Sequence, residues 1–198
     1  MALSRAAQLV AVQAYVARTE LIRRVLGAAA LAAYEDLDPF DTDDIDDFVD
    51  RMLATSLAGQ RAMVATLAAY ISVATDEAED LDFDELEDEA TGDATVPDEG
   101  LERTWRIPFY KFWGDLGDGV DIDDAREGLV SGLGRTAQSL LSFSQARAIT
   151  AMGVAYQRVR AGEDCEFCND APDEVYEEDP MPLHIGCRCS VMPVAKGA

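Results

Sequence analysis

Between Asp76 and Glu102 the chain runs DEAEDLDFDELEDEATGDATVPDEGLE. Carboxylates dominate this stretch, apolar residues are few and no helical stripe recurs. Like charges packed this densely repel one another, and too few side chains remain to bury, so the segment cannot join a core. It predicts a mobile acidic linker or surface loop over 76–104 that divides the chain. An N-terminal helical hairpin is expected at 1–75, a second helical region at 105–160 and a small Cys/His unit at 161–198. The functional alternative for the acidic stretch is an arm that docks on a basic partner.

Residues 2–34 are helical by period, with Leu3, Ala7, Val10, Ala14, Ala17, Leu21 and Val25 recurring at threes and fours. Pro39 disfavours helix at Asp38 and predicts a break over 36–40. A second helix is expected from Thr42 to about Val73, because Asp43 and Asp44 suit a helix N-terminus through the macrodipole. It carries Ile45, Phe48, Val49, Met52, Leu53, Leu57, Met63, Val64, Leu67 and Ile71 toward a partner. Two long helices joined by a short break predict an antiparallel hairpin.

Beyond the linker, the aromatic run from Trp105 to Trp113 predicts an anchor on the core, and Gly114, Gly117 and Gly119 predict loop. Helix resumes at Asp121 and carries Leu129, Leu133, Ala137, Leu140, Leu141, Ile149 and Met152, with Ser142 and Ser144 as a potential break. Weak alternation over 154–160 predicts a short strand. The fold class is therefore mainly α, ending in a zinc-knuckle-like unit with short β-strands.

Charge narrows the partners. Sixteen basic against 39 acidic residues give a net charge of −23, so a phosphate polymer is repelled and direct nucleic-acid binding is not expected. With 48% hydrophobic residues the chain can still bury a core, so disorder throughout is excluded. No run approaches the roughly 20 apolar residues of a membrane span. The opening MALSRAAQLVAVQAYV reads as an amphipathic helix and not as a signal peptide, which predicts a soluble protein made in the cytosol.

The residues that carry chemistry crowd into the C-terminus. All four cysteines and the single histidine fall in Cys165-x-x-Cys168 and, after fifteen intervening residues, His184-x-x-Cys187-x-Cys189. Cys-x-x-Cys sets two thiolates on one tight turn, and a second pair across a loop completes a tetrahedron around zinc. Five candidates compete for four positions: Cys165 and Cys168 with two of His184, Cys187 and Cys189. Disulfides, or reduced cysteines packed as small apolar side chains, are the alternatives. A filled shell leaves no position for a reactive water, so the expected zinc is structural.

Hydrolytic chemistry finds little support. There is no His-Glu-x-x-His motif, and any nucleophile–histidine pair must use His184 as its base. Ser139, Ser142 and Ser144 lie in a helical stretch without a nucleophile elbow.

The same C-terminal residues, with Tyr176, Met181-Pro-Leu-His-Ile-Gly-Cys-Arg-Cys189 and Pro193, resemble the signature of phage head morphogenesis proteins. These are minor head proteins similar to protein F of phage Mu. Ile185 stands where that signature usually has Pro, which leaves the ligand types intact. Weaker likeness to versions from phages of actinobacteria extends upstream. It covers Leu37-Asp-Pro39, Leu57-Ala-Gly-Gln60, Leu67-Ala-Ala-Tyr70, Arg106-Ile-Pro-Phe109 and Ser144-Gln-Ala-Arg147. The resemblance implies a low-copy capsid component encoded beside the portal, assembled in the host cytoplasm and located in the virion. It would act in head assembly or DNA packaging. Portal or major capsid protein is the implied partner, with association between copies of the chain as a further expectation. Members are often labelled capsid maturation protease, which makes a protease using His184 with a nearby Cys or Ser the alternative function.

Overall fold

The computed structural model describes residues 5–74, 98–159, 175–176 and 189–194. Four helices occupy 80% of these residues, and a small antiparallel sheet accounts for the strands. The helices are α1 (Arg5–Tyr34), α2 (Thr42–Ala74), α3 (Asp98–Gly117) and α4 (Ile122–Ala151). Among the described residues no helix is long and apolar enough to cross a membrane.

α1 and α2 form the antiparallel hairpin. The Tyr15 ring stacks on Tyr70 with centroids 4.8 Å apart, and at the other end Arg51 donates to the Ala33 carbonyl at 3.5 Å. The break around Pro39 is built from its aspartates. Asp38 accepts from the Phe40 amide at 3.0 Å, and Asp41 accepts from the Asp43 amide at 2.9 Å, so Asp41 closes the start of α2. Every apolar α2 position expected to face a partner does so. Ile45, Phe48, Val49, Met52, Met63, Val64, Leu67 and Ile71 are buried, and Leu53 and Leu57 pack at the edge of the core.

α1 behaves differently. Its inward face carries Tyr15, Thr19, Arg23, Leu26 and Ala30, whereas Val10, Ala14, Ala17, Leu21 and Val25, which announce the helix in the sequence, lie on the solvent side.

α3 starts at Asp98, so residues 98–104 belong to a helix and not to the expected linker; the remainder of that linker, 76–97, lies outside the described residues. Leu101, Trp105, Phe109 and Phe112, spaced at threes and fours, make the aromatic run one buried helix face. Phe48 meets Trp105 and Phe109 edge-on at 6.0 and 5.5 Å, and the Trp105 indole donates to Ser56 Oγ at 2.9 Å. Pro108 sits inside α3 and faces Gly132 of α4. A Cβ at 132 would stand 3.1 Å from the Pro108 Cβ, so the missing side chain sets how closely the two helices approach. Gly114 and Gly117 are helical, not loop as expected, and only Gly119 (φ 86°) uses the left-handed region that glycine tolerates.

Asp121 caps α4 by accepting from the Asp123 amide at 2.9 Å. Asp121→Ala should cost about 1 kcal/mol, measured by denaturant unfolding, and shift the midpoint without changing the slope. α4 runs unbroken through Ser142 and Ser144, both fully buried where α1, α2 and α4 converge. α2 and α4 contact each other across the bundle, α1 packs on both, and α3 packs on their other side.

After α4, Gly153 (φ 63°) turns the chain into β1 (Tyr156–Val159). β2 (Val175–Tyr176) and β3 (Ser190–Pro193) flank it antiparallel in the order β2-β1-β3. Tyr156 and Arg158 face inward while Gln157 and Val159 face outward. Two apolar clusters result. One joins Leu26, Phe48, Met52, Trp105, Phe109, Leu133 and Leu141. The other joins the far ends of α1, α2 and α4 to Tyr156, Cys189 and Val191 of the sheet region.

Candidate functional site

The sheet meets the bundle through a buried polar network that the sequence reading did not single out. Arg23 points inward from α1 and is only 8% exposed. One terminal nitrogen donates to Ser190 Oγ at 2.8 Å. The other donates to the Cys189 carbonyl and to Gln145 Oε1, both at 3.2 Å, and to Ser142 Oγ at 3.4 Å. The Gln145 amide donates in turn to the Tyr15 hydroxyl at 2.8 Å, which donates to the Val191 carbonyl at 2.9 Å. Burial pushes the Tyr15 phenol well above its ordinary range, against the opposing charge of Arg23, so the hydroxyl keeps the proton it donates. α1, α4 and β3 are thereby tied by the charge-assisted bonds of Arg23 and by the neutral bonds through Gln145 and Tyr15. An inward Arg at helix spacing with Tyr and Thr on the same face was the available signal, and the apolar stripe on the opposite face outweighed it.

Cys189 is the one Cys/His candidate among the described residues. It is 3% exposed, precedes β3 directly and belongs to the apolar cluster with Tyr156 and Val191. Cys165, Cys168, His184 and Cys187 lie outside the described residues. Among the described residues no group of three or more His, Cys, Asp or Glu side chains is placed to hold a metal ion.

The register of the sheet fixes where the chain leaves β1 and enters β3. Val159 at the end of β1 is opposite Ser190 at the start of β3, and Gln157 is opposite Val175. The chain therefore leaves β1 and arrives at β3 on the same end of the sheet. Cys165 is six residues past Val159, while Cys187 and Cys189 immediately precede Ser190.

The serines considered as nucleophiles are placed unfavourably for that role. Ser139, Ser142 and Ser144 are all buried on α4. Ser139 Oγ donates to the Arg135 carbonyl at 2.8 Å, and Ser142 is held by Arg23. None presents a hydroxyl to a substrate peptide.

Comparison with protein-family models, with curated proteins and with solved structures finds no match to this chain.

Proposed function

We propose that this chain is a phage minor head protein, acting in head assembly or DNA packaging, with a structural zinc site in its C-terminal segment. The observation that carries the proposal is the Cys/His pattern of the sequence, which lies between β1 and β3 of the small sheet. In the sequence, Cys165-x-x-Cys168 follows β1 and His184-x-x-Cys187-x-Cys189 runs up to the first residue of β3. Zinc would draw two ligands from Cys165 and Cys168 and two from His184, Cys187 and Cys189, closing the connections between short strands that have little core of their own. The Arg23 network would then hold this unit on the bundle.

The burial of Ser139, Ser142 and Ser144 favours an assembly role over the protease alternative. With a net charge of −23, basic protein surfaces on portal or major capsid protein suit the chain better than DNA.

Metal analysis of the purified protein tests the site. One zinc per chain is expected, lost on exchange of Cys165 and Cys168 for Ser. The thermal midpoint should fall with it, while the far-ultraviolet helical signal of the bundle survives. Protein grown with zinc but carrying no metal would end the zinc assignment. His184→Ala separates the two functions. Loss of capsid-protein cleavage with the fold intact would establish the protease, whereas co-sedimentation of the wild-type chain with purified portal or capsid protein without cleavage is the outcome the proposal requires.

A further inference from the structure

The α1–α2 break and the α3–α4 turn lie at one end of the bundle and are joined there. The Trp113 indole of α3 donates to the Pro39 carbonyl at 2.9 Å, and the Phe40 ring packs on Phe112 with centroids 5.4 Å apart. The α3–α4 turn folds back on the same helix end, where the Val120 amide donates to the Asp115 carbonyl at 2.9 Å. These contacts leave an aromatic strip at the surface. It runs from Phe40, past the Pro39–Trp113 bond, to Tyr110, whose ring lies 5.9 Å from that of Trp113. Phe40 is 54% exposed and Tyr110 53%, although Phe112 beside Phe40 is buried.

The strip is set in a field of one sign. Residues 35–50 carry nine acids and no base, and residues 114–124 carry five acids and no base. Even with the bordering Arg51, Arg103, Arg106, Lys111 and Arg126 set against them, acids outnumber bases fourteen to five. Part of this charge serves the fold. Asp38, Asp41, Asp44 and Asp121 accept from backbone amides at the two turns, and Asp43, Asp123 and Asp124 stand in the first turns of α2 and α4. Glu35, Asp36 and Asp118 do the opposite. They are exposed and follow the C-terminal ends of α1 and α3, where the helix dipole disfavours a negative charge. Stability of the fold therefore does not account for them. The carboxylates are also spread and not gathered, since among the described residues no group of three is placed to hold a metal ion. Such an end offers a field to a cationic surface, and it repels nucleic acid. Exposed aromatic rings inside a border of carboxylates fit a protein that brings an apolar side chain surrounded by lysines and arginines.

We infer that this end of the bundle is a docking surface for a basic protein. Phe40, Trp113 and Tyr110 make its apolar contact, and Glu35, Asp36 and Asp118 meet cationic side chains of the partner. The inference deepens the assembly reading and rests on it for portal or major capsid protein as the carrier of the basic surface; it does not depend on the zinc site.

Calorimetric titration of the full chain with a synthetic amphipathic helix of leucine and lysine, and with purified portal and major capsid protein, tests it. The wild-type chain should bind the peptide, and more weakly as salt rises. Phe40→Ala and Tyr110→Ala should each weaken binding about tenfold. The variant Glu35→Gln/Asp36→Asn/Asp118→Asn should weaken it about tenfold or more while its thermal midpoint holds or rises, because the charges removed oppose the helix dipoles. The charge-matched variant Glu85→Gln/Glu87→Gln/Asp88→Asn, in the acidic stretch, should change binding far less. A chain that does not bind the peptide overturns the docking surface. So do equal losses from the two triple variants, or peptide binding indifferent to both aromatic substitutions. Portal or capsid binding that ignores the Glu35/Asp36/Asp118 variant overturns the surface and leaves the assembly reading intact. Peptide binding that follows the expected pattern, with neither portal nor major capsid protein bound, upholds the surface and ends the assembly reading.

Discussion

Trp105→Ala is expected to lower stability by about 3–5 kcal/mol, measured by urea or guanidinium unfolding. Trp105 has no exposed surface and sits where α2 and α3 meet, edge-on to Phe48. Truncation removes its buried area, opens a cavity beneath Phe48 and leaves Ser56, itself fully buried, without the indole donor. For a chain of this size a loss in that range lowers the thermal midpoint by roughly 10 °C. Trp105→Phe separates the contributions. It keeps most of the ring packing, so it should cost clearly less than Ala, the remainder reporting the hydrogen bond and the lost volume. Equal losses for both variants would assign the whole effect to the Ser56 contact.

The second large effect is expected at Arg23. Arg23→Met keeps the length and apolar stem of the side chain but removes the donors to Ser190, Gln145, Ser142 and the Cys189 carbonyl. Each acceptor left buried without a donor carries a desolvation cost, and a total of about 2–4 kcal/mol follows. The loss should be local first. Apart from Arg23, β3 is hydrogen-bonded to β1 and, through the Val191 carbonyl, to Tyr15, and it packs on the end of α4 away from the α2–α3 core, so hydrogen exchange at Val191 and Arg158 should accelerate before any change in that core. Arg23→Lys should recover only part of the loss, because one ammonium cannot reach acceptors spread across α4 and the start of β3 as the guanidinium fork does. Uniform acceleration of exchange through all four helices would show that Arg23 supports the bundle itself and not the joint.

How much of this was legible in the residues depends on the face. α2 reads correctly because its apolar positions are large and all lie on one side, so Phe48, Met52 and Leu67 leave one solution. α1 reads as a helix, but its period does not tell which side faces in. Many of its large apolar residues point outward, while burial goes to Tyr15, Thr19 and Arg23, whose polarity is satisfied only by groups far away in the chain. Ser142 and Ser144 look like a break because serine competes for backbone hydrogen bonds. In the fold they are small side chains at a crowded helix crossing, and Ser142 is claimed by Arg23. The start of α3 was hidden because the acids at Asp98, Glu99 and Glu102 continue the composition of the preceding stretch, although acids in a first turn also favour a helix. Of the five metal candidates, Cys189 alone can be compared with the structure, and no spacing in the sequence announces its bond to Arg23.

The tie between Arg23 and β3 also orders events in time. Ser190 and Val191 join partners 167 and 176 residues earlier in the chain, the longest closures among the side-chain bonds described. Such contacts form late, because the whole intervening chain must be arranged before they return anything. During synthesis α1 emerges before β3, so Tyr15 and Arg23 on its inner face complete their polar contacts only once that strand has been made, although α2 packs on the same helix earlier. The part of that face carrying Tyr15, Thr19 and Arg23 tolerates that wait, whereas leucines at those three positions would expose a greasy surface on every nascent chain. The polar lining of the joint is thus a solution to the folding schedule as much as to the final structure.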